Sequence, residues 1–430
     1  MESVKVRTFL FLSALLASSV SGAETEGALR AGAARVDITP PEGAALRMSG
    51  YAGREPGFEG IHDHLFIRAV VVDDGARQGV VAIADLAEVS HEFWDELAGR
   101  IEREMNIPRR NVLIAATHTH AGPSLGRYSD DRPNPKNEAY AREVQGKFVE
   151  AVRQARANLQ PARVGAGDGS ASVNVNRRAR MVNGALWLGR NPDGPSDKTV
   201  AVVKFESLAG KPIALIMNYG VHCTVFGPKN LRISGDLAGA ASHYVEERLG
   251  GPAVAVFSSG AAGDQAPIYN RAESYDDVAK LGRILGDEVI RVSAKLRMSA
   301  VGRVAGFQTT VTCPGQKHAA GSQKDPAGYR FEDAGPVTIR LSLLMINHIA
   351  ITGVSGEVLT MIAQRLKKES PLARTMMVTN CNGYSSYIPD DAAYDEVSYE
   401  IVSASVKRGC AENAIINGLL GMIDKAAARR

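Results

Sequence analysis

The chain lacks an excess of either charge: 50 Lys and Arg stand against 47 Asp and Glu, a formal net charge of +3 over 430 residues. A balance this even carries no electrostatic footprint for nucleic acid. Aromatic residues are few, at 6% with two Trp, and cysteine is rarer still. Cys223, Cys313, Cys381 and Cys410 are far apart, with no Cys-x-x-Cys pair, which excludes a zinc knuckle or a thioredoxin-type motif. Their even number permits up to two disulfides in an oxidising compartment, and free buried thiols suit a core of this size equally well. Beyond the N-terminus no apolar run reaches the length of a membrane-spanning helix. The most apolar stretch, 341–354, contains Asn347 and His348 and reads as buried strands. Several catalytic signatures are missing too: G-x-S-x-G, Walker A, H-E-x-x-H and the dinucleotide fingerprint. His91-Glu92-Phe93-Trp94-Asp95 fails the zincin pattern because Asp95 stands where the second His belongs, so it reads as a helix start.

What is present is the composition of a globular protein, 45% apolar and 23% charged. The first 23 residues stand apart. Lys5 and Arg7 precede an apolar run over 9–20, and Ser21-Gly22-Ala23 supplies the small residues of a cleavage site before Glu24. This is the layout of a secretory signal peptide over 1–23, so the mature chain is expected to be exported, periplasmic or extracellular, with no transmembrane segment after cleavage. An even charge balance suits neutral or amphiphilic substrates and is compatible with peripheral contact with membranes.

Strand-like and helix-like patterns alternate along the chain. Residues 79–83, 111–116, 201–205, 213–218, 253–257, 304–311 and 337–354 read as strands. Residues 92–105, 137–159 and 278–296 read as amphipathic helices, Asp236 as the cap of a helix to Leu249, and 398–428 as mostly helical. The Asp/Pro/Asn-rich loop over 128–136 reads as a surface lid or plain connector. No repeat or linker divides the chain. The expected fold is α/β, a mixed β-sheet core flanked by helices, in one hydrolase domain over 24–430 with its site at the C-terminal ends of strands.

The most informative stretch is Thr117-His118-Thr119-His120-Ala121-Gly122, directly after an apolar strand. Residues two apart on a strand share a face, so both imidazoles can converge at the strand's C-terminal end, where α/β sheets build ligand sites. His222 leaves the 213–218 strand in the same way, and Glu357 follows the strand over 349–354. A His/His/Glu set with an open position is the donor set of a catalytic zinc site. His62 and His64 form a second H-x-H, but they precede a strand and read as a pocket wall or an alternative metal pair. His243, His318 and His348 carry no accompanying motif.

These blocks resemble the catalytic domain of the neutral/alkaline (non-lysosomal) ceramidase family. The resemblance runs through Ala33-Ala-Arg-Val-Asp37-Ile-Thr-Pro-Pro41, Met48-Ser-Gly-Tyr-Ala52, Thr117-His-Thr-His-Ala-Gly-Pro123, Ile233-Ser-Gly-Asp236, and Asn382-Gly-Tyr384 through Tyr399-Glu400. It implies a zinc ion held by His118, His222, Glu357 and Tyr387, with His120, Arg177 and Tyr399 around the substrate carbonyl. Two departures stand out. The family serine of a Gly-Asp-Val-Ser-Pro-Asn segment is here Ala266, in Gly263-Asp-Gln-Ala-Pro-Ile268. The family's C-terminal β-rich domain is also expected to be absent.

The implied activity is hydrolysis of an N-acyl amide by a zinc-activated water, turning a ceramide-like lipid into sphingoid base and fatty acid. His120 would act as general base or carbonyl-side donor, and Arg177 and Tyr399 would donate to the oxyanion. Two alternatives stand beside it: a hydrolase of the same fold acting on an ester, lactone, peptide-like amide or glycan-linked group, and a secreted binding protein with a vestigial hydrolase fold.

Overall fold

The computed structural model describes residues 27–51, 54, 57–126, 134–319 and 328–428. The expected leader over 1–23 and most of the 128–136 loop lie outside the described residues. Eight strands form the large sheet, in the order Val254–Ser259, Pro212–Tyr219, Thr199–Ser207, Gln160–Ser170, Arg30–Asp37, Phe66–Asp73, Gln78–Ala84 and Val112–Ala116. Only the two outermost pairs are parallel. Each is a β-α-β unit, because parallel neighbours need a crossover. Helix α1 (His91–Met105) makes one crossover. After helix α2 (Pro135–Ala157), helix α3 (Asp236–Leu249) makes the other, with helix α4 (Tyr275–Ser293) packed beside it.

Strand periodicity explains the layers. Ile67, Ala69 and Val71 join a core with Phe93, Leu97 and Ile101 of α1 and with Val144 and Phe148 of α2. Their neighbours Val70 and Val72 join Leu344, Ile351 and Met376 on the opposite face. Those last residues belong to a four-stranded second sheet of Val304–His318, Phe331–Ile346, Ile349–Val354 and Arg374–Val378. On its outer side, Ile362 and Leu366 of helix α5 (Thr360–Glu369) pack with Leu341, Ile415 and Leu419. The architecture is therefore helices, large sheet, small sheet, helices: an α/β fold with a mixed-sheet core, as the sequence pattern implies.

The large sheet is not a flat array. Arg30–Asp37 pairs with Gln160–Ser170 at only two positions, Arg30↔Pro161 and Ala31↔Gln160. Beyond them the sheet turns back on itself, so that Val254–Ser259 lies against Phe66–Asp73 and Gln78–Ala84. The two β-α-β units at its ends are thus brought together. A buried ion network sits at this closure: Arg68 Nη1 donates to Asp85 Oδ2 and Arg68 Nε to Glu246 Oε1, both at 2.9 Å.

Two local expectations change. Asp236 is the first residue of α3 rather than its cap, and it adopts a left-handed φ of 51°. Its carboxylate accepts the N–H groups of Val225, Phe226 and Leu237, tying the helix start to the loop after His222. The run over 398–428 is two helices, α6 (Tyr399–Val402) and α7 (Ala411–Ala427). Bridges from Ala404 to Tyr387 and from Val406 to Gly315 draw the intervening segment out of helix. That segment ends at Cys410, which is disulfide-bonded to Cys313; Cys223 and Cys381 are buried thiols.

Arg68→Met would leave Asp85 buried without an ion partner and Glu246 with Arg35 alone, and should lower the unfolding free energy by about 3–5 kcal/mol in urea titrations. Arg100→Met, which breaks an exposed pair with Glu104, should leave the midpoint in place. The disulfide closes a separation of 97 residues, so reductant should lower Tm clearly. The Cys313→Ala/Cys410→Ala double variant should start at that lower Tm and show no further response to reductant.

Candidate metal centre and catalytic pocket

The two β-α-β ends deliver the imidazoles. After Val112–Ala116 the chain reverses at His118, whose φ is 66°. A bridge pairs Thr119 with Cys223, and the His120 N–H donates to Cys223 O at 3.2 Å. Residues flanking that bridge then face one another, with ring centroids of His118 and His222 4.5 Å apart and those of His118 and His120 4.9 Å apart. Gly50, at φ 88°, is what lets the 48–51 segment lie against His120, since a Cβ there would come within 2.4 Å of the imidazole. Asn382 completes the edge strand like a missing neighbour: its side chain bonds Ile114 N and Val112 O, and its N–H bonds Ile114 O.

A separate two-stranded ribbon, formed beyond the second sheet's parallel strands Ile349–Val354 and Arg374–Val378, supplies the anionic side. Glu357–Val358 pairs in parallel with Tyr387–Ile388, with Glu357 opposite Tyr387. Glu357 Oε2 lies 3.2 Å from His118 Nε2 and 3.1 Å from His222 Nε2. Tyr387 Oη lies 3.3 Å from His222 Nε2. All four side chains are buried.

The contacts reveal what these atoms lack. His118 Nδ1 is 2.7 Å from Ala87 O, and His222 Nδ1 is 2.7 Å from Ala262 O. A carbonyl only accepts, so both Nδ1 atoms carry protons and each neutral ring presents its Nε2 lone pair to the cluster. Glu357 Oε2 has no hydrogen-bond donor. Burial, reinforced by Arg177 and His118, drops the His222 pKa to about 3, so at neutral pH it cannot donate to Glu357. Burial also disfavours charge on His118, but Glu357 outweighs it and raises the His118 pKa. A proton on His118 would satisfy one of the two short contacts and leave the other as acceptor against acceptor. A cation seated among all four atoms satisfies the whole set. Ligand atoms around a tetrahedral ion at 2.0–2.1 Å are about 3.3 Å apart, the spacing found here. The residues fit zinc.

His118, His120 and His222 also form a three-imidazole group, with ligand nitrogens within 4.8 Å of one another. His120 differs from the other two in its support: its Nδ1 is buried with no partner, so no carbonyl orients its Nε2. That argues for Glu357 rather than His120 as the companion of His118 and His222. Burial, then the neighbouring imidazoles, hold His120 well below the usual histidine range.

Arg177 donates from Nε to Glu400 Oε1 and from Nη2 to Tyr387 Oη, both at 2.9 Å. Its guanidinium carbon is 5.6 Å from the centroids of Tyr387 and Tyr399. Arg177 and Tyr399 both line the recess above His120. All seven residues nominated from sequence therefore meet in one place. His62 and His64 do not: the His62 ring lies on Tyr275 at 3.7 Å, and His64 Nδ1 bonds Asp37 Oδ2 at 2.9 Å. Ala266 is buried in the strand Gln265–Pro267, opposite Val175, so no nucleophile occupies that position.

Three neighbours carry no sequence signal of their role. Tyr384 Oη donates to Glu357 Oε1 at 2.8 Å, Glu400 anchors Arg177, and Tyr51 packs edge-on against His120 at 4.8 Å. Each sits in a motif block, but its partner is dozens to hundreds of positions away.

Comparison with known proteins gives a consistent picture. The family model for neutral/alkaline non-lysosomal ceramidase, N-terminal, matches residues 29–280. The chain is 29% identical over 279 residues to neutral ceramidase of Pseudomonas aeruginosa, covering 61% of this chain and 41% of that protein. It is 28% identical over 263 residues to neutral ceramidase A of Dictyostelium discoideum, covering 54% and 35%. The matches thus span about two fifths or less of the length of these relatives. Among solved structures, "Ceramidase complexed with C2" superposes with a TM-score of 0.75 at 20% identity, over 94% of this chain and 76% of that one. The crystal structure of neutral ceramidase from Pseudomonas aeruginosa gives 0.73 at 18%, over 93% and 75%. At those identities the structures speak for the fold.

Purified protein should contain about one zinc ion per chain by elemental mass spectrometry. His118→Ala and His222→Ala should lose it, while His62→Ala and His64→Ala should retain it. The reverse pattern would move the site to the second H-x-H pair.

Proposed function

The chain belongs to the neutral/alkaline non-lysosomal ceramidase family, and from that premise we propose that it is a zinc-dependent hydrolase of a linear N-acyl amide. The observation that carries this reading is the set of acceptor atoms on His118, His222, Glu357 and Tyr387, drawn together in a buried pocket with no hydrogen-bond partner for Glu357 Oε2. Zinc bound there would supply Lewis-acid polarisation and acidify water to near neutral pH.

The remaining work falls to the side chains. His120 is buried and neutral at physiological pH, so its Nε2 can take a proton from the attacking water and return it to the departing amine. Water adds to the carbonyl carbon, the C–N bond breaks, and the products are a carboxylic acid and an amine. Tyr399 and Arg177 border the recess where the carbonyl oxygen develops charge, and serve as its donors. Arg177 has a second duty, since its Nη2 holds the Tyr387 oxygen in place. No serine is needed, in keeping with Ala266.

Ceramide is the substrate named for the relatives, and a ceramide-like lipid amide is the first candidate for this chain. The alternative, a non-ceramide substrate on the same machinery, is favoured by the size of the recess, about 50 Å3. We take residues 24–430 as one hydrolase unit, because the proposed ligands follow strands of both sheets. Export to the periplasm or beyond is supported by the leader pattern and by the Cys313–Cys410 disulfide. Among the described residues no helix is long and apolar enough to cross a membrane.

Tyr399→Phe should lower kcat on the best amide substrate roughly a hundred- to a thousand-fold while leaving zinc content unchanged. Full activity in that variant would remove Tyr399 from the carbonyl. Stoichiometric zinc without turnover of any amide or ester in a hydrolysis panel would favour a binding protein instead.

A further inference from the structure

The mouth of the pocket has a chemical character of its own. The strand Gln265–Pro267 leads outward to Asn270 and Arg271, both exposed. Arg271 sits at φ 55°, a conformation that costs a side-chain-bearing residue about 1–2 kcal/mol. It is held there by its own N–H on Thr224 O and by the Glu273 N–H on Val225 O. Such strain at a cavity rim is a reason to ask what the residue is held for.

The rim presents donors and positive charge. The Arg271 guanidinium carbon is 5.4 Å from the Tyr51 ring centroid, and no carboxylate lies within ion-pair distance of it among the described residues. Asn270 Oδ1 accepts from Thr224 Oγ1 at 2.7 Å, which leaves the Nδ2 hydrogens as the side chain's donors. Tyr51 Oη gives its proton to Phe226 O. Behind this rim Arg54 also lies over Tyr51, at 5.0 Å, and its other partners are the carbonyls of Ser49, His120 and Asn230 rather than a carboxylate. The recess itself is about 50 Å3, and Leu188 is the one aliphatic side chain among its lining residues. Pockets for drug-sized ligands run to about 300–1,000 Å3. A group the size of an acetyl fits at its floor.

Building on the amide-hydrolase reading, we propose that Arg271 and Asn270 form a carboxylate subsite, and that the preferred substrate is a small N-acyl amino acid or a similar short amide with a carboxylate close to the scissile bond. A planar guanidinium meets a carboxylate through paired, charge-assisted hydrogen bonds, and the Asn270 amide adds a third donor. A neutral ceramide offers hydroxyl and carbonyl acceptors but no negative charge for the guanidinium.

Two measurements test this separately from the chemistry. With zinc-loaded protein, kcat/KM for an N-acetyl amino acid should exceed that of its carboxamide by at least tenfold and exceed that of long-chain ceramide. Arg271→Met should bring the carboxylate-to-carboxamide ratio close to one through KM. Calorimetric titration with the N-acetyl amino acid should show binding that weakens at least tenfold in Arg271→Met, with zinc content unchanged. Equal turnover of acid and carboxamide, a preference for long-chain ceramide, or Arg271-independent binding would each overturn the subsite. Arg271-dependent binding without hydrolysis of any amide would uphold it while refuting the hydrolase reading.

Discussion

Holding several lone pairs against one another in a buried place is the constraint on which the rest of this structure depends. His118 Nε2, His222 Nε2 and Glu357 Oε2 repel one another until a cation sits among them, so each must be clamped from behind. The clamps are backbone carbonyls for the two imidazoles and the Tyr384 hydroxyl for the free oxygen of Glu357. Such supports orient ligands and raise their basicity. They come from the same strand ends and turns that carry the ligands, so the geometry is a property of the fold rather than of flexible side chains.

The layering explains how ligands so far apart in sequence can meet. The large sheet turns back where Arg30–Asp37 and Gln160–Ser170 share only two pairs, and this brings the two parallel ends face to face. The second sheet packs across the opening, and the two-stranded ribbon that follows its parallel strands presents a carboxylate and a phenol side by side. Arg68, with a carboxylate on either side, pins the closure from within. Buried charge of this kind adds little net stability, but it penalises alternative packings in which any of its members is left alone.

Much of this was legible in the sequence, for physical reasons that differ by element. Strands and helices declared themselves through periodicity: Val70 and Val71 belong to opposite faces, and Phe93, Leu97 and Ile101 to one. The histidines and Glu357 were legible because each follows a buried strand. Tyr387 was not, since a phenol ligand has no periodic or spacing signature, and only family resemblance named it. The Arg177–Glu400 pair and the Tyr384–Glu357 bond link positions that nothing local connects. Asp236 reads as a simple cap in sequence because only Leu237 among its partners is in its own helix; Val225 and Phe226 lie in a loop that no local pattern links to it. Cys313 and Cys410 could be paired only once the strand and the segment before α7 were seen side by side.

The split origin of the ligands has a consequence for the birth of the molecule. As the chain is made, its first 280 residues contain every imidazole of the cluster but neither Glu357 nor Tyr387. Of these three rings only His118 and His222 belong to the proposed ligand set, and without the Glu357 carboxylate that set carries no negative charge to hold a divalent ion tightly. On the proposed ligand set, tight capture would wait until the C-terminal third has emerged, formed the second sheet and docked. Occupancy of the site would then mark chain completion, and an interrupted or truncated polypeptide would neither sequester metal nor expose a working nucleophile before the fold is closed around it.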